Sequence, residues 1–320
     1  MTSPLILLCP GQGAQAVGMG KSWFDASAEA RAIFAQADRA FGNRLGAKLP
    51  DLCFDGPAEK LNRTDISQPA IYTASVASWH GLIAKWGFGN GESKLASVAG
   101  LSLGEYTALH IAGAFSFLDG LELVTLRGRA MQDAAEAAPG GSGMLALIGA
   151  DEPQAHAVCD AARGPDVLVA ANFNAPGQVV LSGSKVAIDR AATVATEKGL
   201  RSAVLPVAGA FHSPLMAPAA QRLAQALAKT VIRDPRCPVV SNVTAQPHGP
   251  AGGRTMADSI RQRLVEQLTS PVRWEQSCRT LISAGGSAEF HELAPGATLA
   301  GLMRRIDKPT KVTSHDKPEA

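Results

Sequence analysis

The chain has 320 residues, enough to bury a full core. Hydrophobic residues make up 46% and charged residues 18%, a globular composition that excludes an intrinsically disordered chain. Thirty basic side chains against 28 acidic ones leave a net charge of +2, and no basic stretch is interleaved with aromatics, so a nucleic-acid binder is not expected.

The opening run MTSPLILLCPGQG is apolar over only six residues and has no basic leader. Pro4–Cys9 therefore reads as a buried strand, not a signal peptide or a membrane span. The turn after it, Gly11-Gln12-Gly13-Ala14-Gln15-Ala16, has the form of a dinucleotide fingerprint. That reading needs an acidic residue at the end of a second strand about 20 positions on, to hold a ribose. Glu29 and Asp38 fall instead in a helical pattern over Ser27–Phe41, which speaks against it. A second helix is expected from Gln68-Pro69, with proline in the first turn, to about Trp86.

Leu95–Ala99 is the next strand, and it runs into Gly100-Leu101-Ser102-Leu103-Gly104. This G-x-S-x-G has two readings. It is a nucleophile elbow, whose glycines are needed because a side chain would clash in so tight a turn. Alternatively Ser102 merely caps the following helix. A further helix opens at an N-cap Ser116, with Asp119 three residues on, and reaches about Ala137. It carries Arg127 beside the apolar stripe Leu121, Val124, Gly128, Met131. A guanidinium so near a core needs an anion, either a structural carboxylate or the carboxylate of a substrate.

The middle of the chain is organised differently. Strands at Met144–Gly149, Val167–Asn172, Gln178–Ser182 and Arg201–Pro206 frame helices at Glu152–Ala162 and Lys185–Lys198. This β-α-β-β-α-β order is the ferredoxin-like split unit. A glycine-rich APGGSG (138–143) leads into it and VAGAFHSP (207–214) leads out. The rest alternates helices (Pro214–Thr230, Met256–Leu268, Val272–Ala284, and one starting at Pro295-Gly296) with strands (Pro238–Asn242, Glu289–Leu293). The last dozen residues are polar, and a mobile tail is expected. The expected fold is α/β: a large domain from 1–137 and 207–320 with a mainly parallel sheet, and a ferredoxin-like subdomain inserted at 138–206.

An activated Ser102 needs a base, and seven histidines compete. His212, in AFHSP, lies in the loop where the chain leaves the small unit and is the best placed of the seven. The five cysteines are scattered without a Cys-x-x-Cys, so neither a metal site nor a disulfide framework is expected, and a reducing cytoplasm fits.

Taken together, PGQGAQ (10–15), GLSLGEYTAL (100–109), RGRAMQ (127–132), NFNAPGQVVLSG (172–183), AFHSPLM (210–216), PVVSNVT (238–244) and QLTSPVRW (267–274) give the chain a family likeness. It resembles the malonyl-CoA:acyl-carrier-protein transacylases and the related acyltransferase domains of polyketide synthases, from about residue 5 to 306. The resemblance implies an α/β-hydrolase-like large domain with the ferredoxin-like insert. It makes Ser102 the nucleophile and His212 its general base, with the main-chain carbonyl of Gln267 orienting the histidine. Gln12 and the Leu103 N–H would form the oxyanion hole, and Arg127 would hold the malonyl carboxylate. Phe211, before the histidine, would favour malonyl over methylmalonyl. Leu101 departs from the family, which usually has histidine beside the serine; this removes a polar contact near the acyl group.

The implied reaction takes malonyl from malonyl-CoA to the phosphopantetheine thiol of acyl-carrier protein, in fatty-acid synthesis, with no cofactor or metal, by a cytoplasmic monomer away from membranes. A stand-alone acyltransferase of a polyketide pathway is the alternative. A serine hydrolase or thioesterase, for which Arg127 would have no carboxylate to hold, and a non-catalytic carrier-binding module stand further off. Arg304, Arg305, Lys308 and Lys311 form a basic cluster that could meet an acidic carrier protein or could simply be a solvated helix end.

Overall fold

The protein is described by a computed structural model over residues 3–87, 94–250 and 252–318. Its elements run β1 (Leu5–Cys9), α1 (Lys21–Ala26), α2 (Ala28–Phe41), α3 (Leu49–Phe54), α4 (Ala58–Leu61), α5 (Thr64–Trp86), β2 (Leu95–Gly100), α6 (Gly104–Ile111) and α7 (Phe117–Glu136). Then come β3 (Ser142–Ile148), α8 (Glu152–Arg163), β4 (Leu168–Ala175), β5 (Gln178–Ser184), α9 (Lys185–Glu197) and β6 (Arg201–Val204). A 3-10 turn (Pro214–Met216) leads into α10 (Ala217–Lys229), followed by β7 (Val239–Val240), α11 (Met256–Gln267), α12 (Trp274–Gly285), β8 (Glu289–Leu293), α13 (Thr298–Ile306) and β9 (Val312–His315). The chain divides into two compact units, Met1–Gly128 with Thr230–Val240 and Leu281–Ala320, and Arg129–Lys229 with Ser241–Thr280.

The first unit holds a parallel sheet in the order β7-β2-β1-β8-β9. β1 lies at its centre, and its five residues, LILLC, are all fully buried. An unbroken apolar strand is what a parallel sheet covered on both faces requires. The helix read from Gln68-Pro69 starts a turn earlier, at Thr64, so Pro69 sits inside it. The Arg63 carbonyl accepts from the Ile66 and Ser67 N–H groups and closes that first turn, and burial of nearly every residue from Thr64 to Leu82 offsets the bond the proline forfeits. The terminal residues differ from expectation too. Val312–His315 form an edge strand parallel to β8 instead of a mobile tail, and the Trp23 indole donates to the His315 carbonyl at 2.8 Å.

The second unit holds an antiparallel sheet in the order β4-β5-β3-β6, the ferredoxin-like arrangement. Leu145, Leu147, Leu168, Phe173 and Leu181 from the strands pack on Val158, Ile188 and Ala191 from α8 and α9. A capping box between Asp151 and Gln154 starts α8. The unit is wider than residues 138–206. Val272 donates to the Ala171 carbonyl and accepts from the Phe173 N–H, both at 2.9 Å, which fastens the 241–280 segment to β4 by backbone bonds.

Candidate active site

The serine turn sits at the carboxyl end of β2. Ser102 has φ +52°, a left-handed conformation that a non-glycine residue adopts only under constraint. Three glycines allow it. A Cβ on Gly100 would collide with the Gly104 backbone, one on Gly104 with the Cys9 carbonyl, and one on Gly11 with the Leu101 carbonyl. The Leu101 N–H also donates to the Cys9 carbonyl at 3.1 Å. The PGQG loop after β1 and the elbow after β2 are therefore in direct backbone contact, which accounts for Gly11 of the apparent dinucleotide fingerprint, while Gly13 has φ +103°.

The N-cap of α6 is Leu103, with no side-chain capping bond, and Ser102 Oγ accepts from Arg127 Nη2 at 2.9 Å. Leu103, directly after the serine, contributes one of the amides that a helix start leaves without an intrahelical acceptor. Gln12 Nε2 donates to Thr64 Oγ1 at 3.3 Å, which ties the first loop to the start of α5.

Arg127 reaches the serine because α7 packs closely on α5. Ser116 caps α7, accepting from the Asp119 N–H at 3.1 Å. Gly120 and Gly128 then let the helices approach: a Cβ at Gly120 would strike the Tyr72 hydroxyl, and one at Gly128 would lie 2.6 Å from the Thr64 carbonyl oxygen. This brings Arg127 Nη1 to Gln68 Oε1 at 2.8 Å. The Arg127 guanidinium is buried, which draws its pKa down, and lies 5.5 Å from the centre of the Tyr106 ring. Gln68 and Tyr106 were not legible as site residues. Gln68-Pro69 carries only a helix-start signal, and its partner lies 59 residues away.

In the second unit His212 lies in the loop after β6, buried and with φ +57°. The loop is pinned on both sides: the Ala210 N–H donates to Ser142 Oγ at 3.1 Å, and Ser213 Oγ donates to the Ala210 carbonyl at 2.6 Å. His212 Nδ1 donates to the Gln267 carbonyl at 2.7 Å. A carbonyl only accepts, so Nδ1 carries the proton and Nε2 is left as the basic nitrogen in the neutral ring. Gln267 is the last, fully buried residue of α11, and Phe211 is buried beside His212.

Four of the other histidines have partners of their own. His110 Nδ1 donates to the Phe115 carbonyl at 3.1 Å, His156 is exposed opposite Glu152, and His291 and His315 stack with 2.8 Å between Nδ1 and Nε2. All five cysteines are buried free thiols. Among the described residues no helix is long and apolar enough to cross a membrane.

A parallel sheet whose second strand ends in a strained serine elbow under a buried arginine, with a second unit carrying a carbonyl-oriented histidine, defines an α/β enzyme of the elbow class. Comparison with known proteins narrows this. The family model of the acyl transferase domain matches residues 6–314, and the chain belongs to that family. The malonyl CoA-acyl carrier protein transacylase of Bacillus subtilis (strain 168) is 39% identical, covering 99% of this chain and 95% of that protein. The crystal structure of the malonyl-CoA:acyl carrier protein transacylase from Xanthomonas oryzae pv. oryzae superposes with a TM-score of 0.89 at 40% identity, covering 99% of this chain and 96% of that one. A malonyl-transacylase solved in complex with its type II polyketide-synthase acyl-carrier protein superposes with a TM-score of 0.88 at 34% identity, covering 99% and 97%.

Proposed function

We propose that this acyltransferase moves the malonyl group from malonyl-CoA to the phosphopantetheine thiol of acyl-carrier protein, supplying fatty-acid synthesis. The observation that carries the reading is Arg127, a buried cation with one nitrogen on Ser102 Oγ and the next on Gln68. A guanidinium fork beside the acylated oxygen suits an acyl group that ends in a carboxylate.

In this mechanism His212 Nε2 takes the Ser102 proton as Oγ attacks the thioester carbon. The Leu103 N–H and the Gln12 amide hold the oxyanion, where fixed donors contribute most in a dry site. The C–S bond breaks, His212 returns the proton to the departing CoA sulfur, and a malonyl-serine ester remains. The carrier thiol then gives its proton to His212 and attacks the ester carbon; as the second oxyanion collapses the ester C–O bond breaks, His212 returns the proton to Ser102 Oγ, and the malonyl group is left as a thioester on the carrier. The Gln267 carbonyl keeps Nδ1 protonated, the role a carboxylate fills in a catalytic triad. All covalent steps use groups of this chain and need neither metal nor redox cofactor. Five buried thiols suit the reducing cytoplasm, and a monomer completes the reading.

The likeness to a transacylase paired with a polyketide carrier protein supports a second reading, in which the acceptor belongs to a polyketide pathway. Steady-state rates with both substrates varied test the mechanism, and parallel double-reciprocal lines are expected. Intersecting lines would mean direct transfer in a ternary complex and would remove the acyl-enzyme. Rates with carrier proteins of the two pathways, compared side by side, identify the acceptor.

A further inference from the structure

We propose that Tyr106 is a positioning residue for substrate choice: its ring face holds the Arg127 guanidinium in place and charged, and thereby sets the preference for malonyl over uncharged acyl groups. The inference rests on the reading that Arg127 binds the substrate carboxylate.

Arg127 is 1% exposed and Tyr106 is fully buried. Burying a guanidinium costs several kcal/mol unless the site compensates. Two hydrogen bonds of its terminal nitrogens go to uncharged acceptors, the Gln68 amide oxygen and the Ser102 hydroxyl. Glu105, also buried on α6, adds an attractive charge. The ring of Tyr106 lies against the cation, with the guanidinium carbon 5.5 Å from its centre. An aromatic face attracts a cation through its quadrupole, most strongly where water is excluded. A ring face also leaves the planar fork of the guanidinium open, whereas a carboxylate in contact with the fork would occupy the donors that a substrate needs.

The placement follows from the elbow. Tyr106 lies four residues after Ser102, in the first turn of α6, and its N–H donates to the Leu103 carbonyl at 3.0 Å. The turn that presents the serine thus also presents the ring, so Ser102 and Tyr106 are set by one piece of backbone, and Arg127 reaches both from α7. Burial drives the phenol pKa upward, so the ring stays neutral.

The test replaces Tyr106 by Phe, by mono- to pentafluorinated phenylalanines introduced by codon suppression, and by Leu. The readout is the ratio of Ser102 labelling rates with malonyl-CoA and with acetyl-CoA. Tyr106→Phe should keep the ratio within about twofold, since the face survives. Successive fluorines drain the quadrupole and should lower the ratio stepwise, to about tenfold below Phe at full fluorination, with acetyl labelling unchanged. Tyr106→Leu should match the fully fluorinated ring; if the Tyr106→Leu variant does not fold, the near-isosteric fluorinated series still decides. A flat series, an equal fall with both donors, or a Phe variant as poor as Leu would overturn the proposal. Arg127→Ala is the control: a ratio unmoved by that change would refute the carboxylate reading itself.

Discussion

At Ser102 the backbone is held in the left-handed region, and Arg127 donates to its hydroxyl. Helices α5 and α7 close because Gly128 faces the Thr64 backbone and Gly120 leaves room for the Tyr72 hydroxyl. Phe211 belongs to the same scale. Its buried ring directly precedes His212, and in the proposed reading it would compete for space with a methyl on the acyl α-carbon. One methyl in a pocket is worth about 1–3 kcal/mol. Phe211→Ser is therefore expected to raise kcat/KM for methylmalonyl-CoA roughly tenfold relative to malonyl-CoA. A competition assay with both thioesters measures this directly, and an unchanged ratio would show that the ring does not face the α-carbon. Ser102, His212 and Arg127 stood out as candidates because each sits in a local pattern: a glycine-framed turn, a loop between domains, a cation on an apolar stripe. Gln68 and Tyr106 did not, since an ordinary glutamine and an ordinary core tyrosine become part of a site only through residues far off in the chain.

Elements with a clear period were readable, and elements without one were not. The β-α-β-β-α-β order of the second unit follows from short strands alternating with helical patterns and from the tight Pro176-Gly177 turn between β4 and β5, all short-range signals. The six-residue α1 and α3 and the four-residue α4 are too short to show a period. β9 is an edge strand buried mainly at His315, so its sequence looks like a polar tail. Buried imidazoles in these elements make a pH prediction. Burial lowers His315 to about 4, aided by the neighbouring His291 and Lys85, and burial likewise lowers His110 to about 4. A histidine held neutral in the fold contributes stability that is complete above its unfolded value of about 6.5 and is lost as pH falls toward 4. A shift of this size is worth on the order of 3 kcal/mol across that window. Burial raises Glu292 to about 7, against its Leu299 and Ala300 N–H bonds, so its contribution runs the other way and is lost as pH rises from about 4.5 through 7. The melting temperature should therefore peak near pH 6.5, and His110→Asn, which can still donate to the Phe115 carbonyl, should flatten the acid limb. An acid limb of unchanged slope in that variant would show that His110 titrates normally in the fold.

At the scale of the whole molecule, chain order and spatial grouping part company. Segments 230–240 and 281–320 return to the first unit, while 241–280 joins the second through the Val272 bonds to β4. Such long-range pairing leaves no mark in local periodicity, so limits drawn at 138 and 206 describe the small sheet and not the whole unit. Topology also decides what the basic cluster at 304–311 can do. α13 connects the parallel strands β8 and β9, so it runs back along them, and its C-terminal end lies at the edge of the sheet opposite Ser102. Arg304, Arg305, Lys308 and Lys311 are exposed there. Arg304→Glu with Arg305→Glu is expected to change the KM for carrier protein less than twofold in a transfer assay at low salt. A tenfold rise would place the carrier on that edge.

The central claim is that Ser102 carries a malonyl ester selected by Arg127. Intact mass of the protein after brief exposure to malonyl-CoA, beside Ser102→Ala and Arg127→Ala, tests it most directly. The wild type should gain one malonyl group, Ser102→Ala none, and Arg127→Ala should label far more slowly with malonyl-CoA while acetyl-CoA labelling is spared. An unlabelled wild type that leaves malonyl-CoA intact, or an adduct that survives in Ser102→Ala, would contradict the account.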